Sequence, residues 1–281
     1  MIDIASRSDA TAMPLQRRSR DGAICTVFTA LDCALFDFDT FQPTHARALL
    51  RELRESHVAV IPVSVMTLAE LEPVARKLGF RSMIVEAGGA IARWNAIAWE
   101  VEPCGPTSDE LLAVIGEIEE RSGALLKVYS VMSDGDASLL SGRSGAMLGG
   151  SRQRQYSEPF LIESGDPHRV SEAAATLGYS IARGGRFLHL ARRDAESAFS
   201  RLRDEMPCDV AIGVGASPID ADFLSVADMP IIVPRPDGTP DPELLARVPH
   251  AHIAPAPGSA GWAAAVRAVW SASVTRPHLR A

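Results

Sequence analysis

The stretch Ala23-Ile24-Cys25-Thr26-Val27-Phe28-Thr29-Ala30-Leu31-Asp32-Cys33-Ala34-Leu35-Phe36 constrains this chain more than any other. Its apolar and β-branched residues suit a central parallel strand covered on both faces, and the strand runs straight into a polar turn. In an open α/β sheet, ligands bind at the C-terminal ends of such strands. Residues 30–34 are therefore expected at the functional site. Phosphoryl transfer would want several carboxylates there, and Asp32 is the one that this turn offers.

The following chain repeats the pattern. Leu49, Leu50 and Leu53 are spaced to face a core from a helix over 44–56, with Thr44 as its cap. A second strand, 57–64, ends at Ser64. Thr67 caps a helix over 68–78 that Gly79 stops. A third strand, 82–86, runs into the turn Ala87-Gly88-Gly89-Ala90. This alternation predicts a doubly wound parallel α/β sheet. After about residue 95 the texture changes to mixed helices (108–122, 169–177), weak structure over 133–150, and short strands. Those strands are 98–102, 160–163 and a hairpin across Gly184-Gly185. The sheet pattern returns with a helix over 194–205 and strands at 208–214 and 229–233, and a last helix spans 261–271. The expected organisation is a tail at 1–21, a core domain of 22–95 plus 191–275, and an inserted α+β cap at 96–190.

Bulk properties exclude several classes. Of 281 residues, 47% are hydrophobic and 22% charged, which is an ordinary globular composition. The net charge of -7 argues against nucleic acid. No apolar run has transmembrane length, so no membrane is expected. Arg17-Arg18-Ser19-Arg20 is read as part of the tail rather than a basic binding arm. Cys25, Cys33, Cys104 and Cys208 are scattered without metal spacing, which suggests reduced thiols and a cytoplasmic protein.

Several segments resemble the haloacid dehalogenase superfamily, and within it the mannosyl-3-phosphoglycerate phosphatase family with its type-IIB cap. They are Phe28-Thr29-Ala30-Leu31-Asp32, residues 63–70, residues 85–91, Ser157-Glu158-Pro159-Phe160, residues 184–190, residues 215–220 and residues 235–238. The resemblance implies an aspartate nucleophile, a second aspartate as acid and base, a Ser/Thr and a Lys on the phosphoryl oxygens, and carboxylate-held magnesium. Measured against that pattern, Ala30 stands at the nucleophile position and Asp32 keeps the acid/base position. Cys33 and Ala34 replace the motif's Gly and Thr. Ser64 keeps the second motif's hydroxyl. Glu86 is kept in the Glu-Asn-Gly-Gly turn, with Ala87 for its Asn. Ala195 replaces the phosphate-binding lysine. Ala216 replaces the main metal aspartate, while Asp220 is kept.

Losing nucleophile, lysine and metal carboxylate together removes the main electrostatic terms of phosphoryl transfer. The expectation is a pseudo-phosphatase with a binding or regulatory role and weak or absent magnesium, held if at all by Asp32 and Asp220. A phosphorylated small molecule would meet Ser64, Glu158 and Arg186. The competing reading is an active magnesium-dependent phosphatase of a phosphorylated sugar or glycerate derivative, using Asp37 and Asp39 of Phe36-Asp37-Phe38-Asp39-Thr40 as its first motif. A module that docks a protein partner is the third class. Three further readings are bland: His189 as a packed residue on an alternating strand, Glu86 as a structural acceptor, and Cys33 as no nucleophile for want of a nearby histidine.

Overall fold

The computed structural model describes residues 24–192 and 197–275. The expected tail and Ala195 lie outside these residues. In chain order, β1 (Cys25–Ala30), β2 (Ala59–Val63), β3 (Ser82–Val85), β4 (Ala90–Trp94) and β5 (Trp99–Pro103) come first. Next come β6 (Leu125–Val128), β7 (Phe160–Ser164), β8 (Tyr179–Gly184) and β9 (Phe187–Arg192), and the chain ends with β10 (Val210–Gly215), β11 (Met229–Ile232) and β12 (His252–Ile253). The first and last groups form one eight-stranded sheet in the order β12-β11-β10-β1-β2-β3-β4-β5. It is parallel from β12 to β3 and antiparallel at β4 and β5. The middle group forms a separate antiparallel sheet, β6-β7-β9-β8.

β1 is buried along its whole length between β2 and β10. Successive side chains of a strand point to opposite faces, so Val27 and Phe28 enter different cores. Val27 packs with Leu49, Leu53, Leu71 and Trp262. Phe28 packs with Ile61, Ile84, Phe199 and Leu224. The helices α1 (Arg47–Glu55), α2 (Leu68–Leu78), α3 (Ser108–Ser122), α4 (Asp134–Ser141), α5 (Gly145–Ser151), α6 (Pro167–Thr176), α7 (Ala198–Glu205), α8 (Ala221–Ser225), α9 (Pro242–Arg247) and α10 (Gly258–Thr275) complete the chain. From α10, the buried Trp262 donates its indole N–H to Thr29 Oγ1 at 2.9 Å and so fixes that helix on the end of β1.

Helix α2 begins and ends where the sequence predicts. Thr67 and Glu70 form a reciprocal capping box, and Gly79 closes the helix at φ 81. Helix α1 starts later than expected, at Arg47, and Thr44 does not cap it. The Thr44 side chain hydrogen-bonds Asp37 instead, and the Pro43 carbonyl accepts the Ala46 and Arg47 amides.

The second sheet carries an α+β cap. Ile115, Ile118, Leu126, Phe160, Val170 and Ala174 form its core under α3 and α6. The insert was expected from residue 96, but β5 pairs with β4 in the larger sheet, register Ile91↔Glu102. Among the described residues, no helix is long and apolar enough to cross a membrane.

Candidate functional site

The site lies where β1, β2, β3 and β10 end. Ala30 is the last residue of β1 and only 5% exposed, and it presents a methyl group where the strand meets the crevice. The chain then makes one tight turn, closed by the Phe36 N–H on the Leu31 carbonyl at 2.8 Å. Asp32 is extended in this turn, and Cys33 is left-handed at φ 60. That conformation disfavours any residue with a β-carbon. Asp32 Oδ1 is enclosed and without a hydrogen-bond partner. Burial pushes the Asp32 carboxyl above its ordinary range, against the pull of Arg143 and with the push of Glu70. The Cys33 thiol is raised to about 11, first by burial and then by Asp32 and Asp220, so it stays protonated and a poor nucleophile.

At the end of β10, Asp220 faces the same crevice. Its Oδ2 accepts hydrogen bonds from the Ala216 amide at 2.8 Å, the Ser217 amide at 2.9 Å and Ser217 Oγ at 3.2 Å. Burial nonetheless lifts its pKa to about 6; these hydrogen bonds pull against the rise and Asp32 adds to it. Ser64, after β2, uses Oγ to accept the Met66 amide at 3.1 Å. Asp37, the nucleophile of the competing reading, lies past the turn and accepts the Ser259 amide at the start of α10 at 2.9 Å. Its partner Asp39 is exposed.

The cap closes the crevice from above, and here the structure brings together residues that sequence reasoning missed. Arg143, between α4 and α5, places Nε on Glu70 Oε1. Arg154, in the segment after α5, donates to the Val65 carbonyl at 3.0 Å and to Ser157 Oγ at 2.8 Å, with Glu70 4.0 Å away. Both guanidiniums are largely buried. Thr67 Oγ1 donates to the Gly150 carbonyl at 2.9 Å while it caps α2. Glu86 collects the Gln155 amide (3.0 Å), the Tyr156 amide (3.0 Å) and Ser157 Oγ (3.0 Å). It acts as the structural acceptor that the sequence suggests.

Two other sequence candidates sit apart from the strand ends. Glu158 is buried, with Oε1 on the Ser130 amide at 2.9 Å and Oε2 unpartnered. Its pKa is raised, mostly by burial. Arg186 is turned to the carbonyls of Leu139 and Leu140 at the end of α4, at 3.5 and 3.3 Å. His189 is buried and neutral, its pKa driven down to about 3 by burial and then by Arg154 and Arg143.

Similarity to known proteins runs the length of this chain. No protein-family model matches it. A glucosyl-3-phosphoglycerate/mannosyl-3-phosphoglycerate phosphatase of Methanococcoides burtonii is 28% identical over 260 residues, which cover 84% of this chain and 93% of that protein. The enzyme of the same name from Persephonella marina is 24% identical over 256 residues, 84% of this chain and 93% of its own. Among solved structures, a Thermoplasma acidophilum protein superposes with a TM-score of 0.65 at 16% identity, covering 88% of this chain and 98% of its own. A subclass IIB sugar phosphatase of the haloacid dehalogenase superfamily superposes with a TM-score of 0.61 at 12% identity, over 88% of this chain and 98% of that one. The fold is the one these structures share, among them the subclass IIB sugar phosphatase of the haloacid dehalogenase superfamily. The resemblance to the mannosyl-3-phosphoglycerate phosphatases, read from short motifs, is carried by relatives that match along nearly their whole length.

In haloacid dehalogenase terms, Ala30 and Ala216 stand at the ends of neighbouring strands β1 and β10, where the resemblance places the nucleophile and the main metal carboxylate. Asp32 and Asp220 are the carboxylates brought to this point, close enough to raise Asp220's pKa. Among the described residues, no group of three or more His, Cys, Asp or Glu side chains is arranged to hold a metal ion.

Proposed function

We propose that this haloacid dehalogenase-fold protein does not hydrolyse phosphate esters and instead binds a small molecule in the crevice between core and cap. The observation that carries the reading is Ala30. An attacking oxygen has to stand at the end of β1, and this position offers a methyl group. Asp32 is two residues further on, in a turn that encloses Oδ1. Asp37 is held by the start of α10 and is no substitute.

Magnesium, which the fold family implies, does not suit the residues present. Neither alanine side chain has a ligand atom, and Asp220 Oδ2 already serves three donors. The buried Arg143–Glu70 and Glu86–Ser157 contacts support a cap that rests closed on the core.

The test is phosphate release by the full chain with magnesium. The substrates are glucosyl-3-phosphoglycerate, mannosyl-3-phosphoglycerate and p-nitrophenyl phosphate. The expected result is no release above the blank. The triple variant Ala30→Asp/Ala195→Lys/Ala216→Asp should gain magnesium-dependent turnover that no single variant shows, because such groups act as a unit. Turnover by the native chain that disappears in Asp32→Asn overturns the reading.

A further inference from the structure

A cavity of about 160 Å³ lies beside the strand ends, between the core and the cap. Val63, Ile84, Phe199 and Phe223 form its core side, and Leu111 and Ala182 its cap side. Ser64, Glu86 and Asp220 connect it to the crevice described above. Apolar cavities of about 150 Å³ admit a ligand the size of one benzene ring.

The charges around this space select against an anion. Among the described residues, Glu86, Asp220 and Asp222 are the carboxylates of its wall, against one guanidinium, Arg192. Arg192 stands at the exposed rim. A phosphate ester would lose its hydration and find the rim's Arg192 as the one cationic side chain among the described lining residues. The same carboxylates give an ammonium group little. Glu86 is saturated by three cap donors, Asp220 Oδ2 by three core donors, and Asp222 is paired with Arg247. Ser64, Tyr156, Ser197 and His189 are the uncharged polar side chains of the wall. Ser64 Oγ accepts the Met66 amide and keeps its O–H to donate, and His189 Nδ1 is enclosed and unpartnered. A neutral imidazole offers one donor and one acceptor.

From this geometry we infer that the cavity takes an uncharged, ring-sized ligand carrying a hydroxyl or carbonyl, in place of the phosphorylated compounds of the related enzymes. The inference rests on the non-hydrolysing reading and narrows it to a ligand class. Such a ligand touches Val63 and Phe223 of the core and Ala182 of the cap at once, so its binding favours the closed cap.

Three probes that share a ring and differ in charge test this: benzyl alcohol, benzylammonium and phenyl phosphate, titrated into the full chain and followed by ligand-observed NMR. Benzyl alcohol should bind with a Kd on the order of 1 mM, ordinary for so few atoms, and the two ions at least tenfold more weakly. Ala182→Leu, which fills the cavity, should weaken benzyl alcohol at least tenfold. A readout that needs no variant is protection of Cys104, which lines the cavity, from methyl methanethiosulfonate. Benzyl alcohol should slow that reaction. Absence of both binding and protection overturns the inference. Phenyl phosphate binding more tightly than benzyl alcohol without release of phosphate overturns the ligand class alone, whereas release of phosphate overturns the non-hydrolysing reading on which it rests.

Discussion

The Glu86 carboxylate accepts a hydrogen bond from Ser157 Oγ at 3.0 Å, across the junction between the end of β3 and the cap. The same carboxylate holds the Gln155 and Tyr156 amides. Removing it leaves three cap donors without their acceptor at a partly buried junction. Glu86→Ala should therefore cost about 2–4 kcal/mol in urea unfolding, since each stranded buried donor costs about 1–3 kcal/mol. Amide exchange should rise at 155–156 before it rises in β1. A loss below about 0.5 kcal/mol would show that the cap is seated by other contacts.

Gly89 makes that junction possible in another way. A β-carbon built there would stand 2.2 Å from the Tyr156 carbonyl oxygen, although φ at -67° suits any residue. The constraint is contact alone. Gly89→Ala should destabilise the fold by about 1–3 kcal/mol, the usual range for overpacking. A urea midpoint equal to that of the native chain would contradict the close approach.

Two buried groups set opposite dependences on pH. Asp220, raised by burial from 3.8 to about 6, keeps its proton in the native state after the unfolded chain has lost it. Its contribution to stability therefore falls as pH rises from about 4 to 6. His189, lowered by burial from 6.5 to about 3, stays neutral in the native state where the unfolded chain binds a proton. Its contribution rises with pH up to about 6.5. Each is worth about 3 kcal/mol between pH 4 and 6, so these two terms oppose one another, while the raised Asp32 and Glu158 act in the same direction as Asp220. Asp220→Asn keeps an acceptor for Ala216 and Ser217, and should make the pH slope of stability more positive than that of the native chain. His189→Leu should make it more negative. Urea midpoints at pH 4, 5 and 6 measure both slopes, and two variants with the same slope would refute the assignment.

Cys33 occupies a left-handed position, φ 60, where the related motif has glycine. Left-handed backbone costs a β-carbon residue about 1–2 kcal/mol, and glycine gives back part of that as chain entropy in the unfolded state. Cys33→Gly should raise stability by about 0.5–1 kcal/mol in urea unfolding. A decrease would mean that the side chain's packing outweighs the backbone term.

The parallel half of the fold is legible in the sequence because its signals are local. The run before Ala30 reads as a buried strand, and Thr67 and Gly79 mark α2 to the residue. Pairing is not local. Residues 98–102 read as a strand, but nothing in those five residues says that the strand joins β4 and the larger sheet. Strand β6, four residues long between a helix and a turn, is too short to show a period and was not expected. At the site, Ala30, Asp32, Ser64, Ala216 and Asp220 are legible as strand-end residues. The Arg143–Glu70 pair is not, because 73 residues separate its partners and Arg143 lies in a stretch that reads as weak structure.

Thr67 and Glu70 each do two things at once. They tie off the first turn of α2, and they hold Gly150 and Arg143 of the cap. A lid that lifts would take Arg143 from Glu70 and the Gly150 carbonyl from Thr67 in the same movement. The start of α2, a core helix, is thus also the latch of the cap, and the two bonds that would break on lifting are distinct from those that cap the helix.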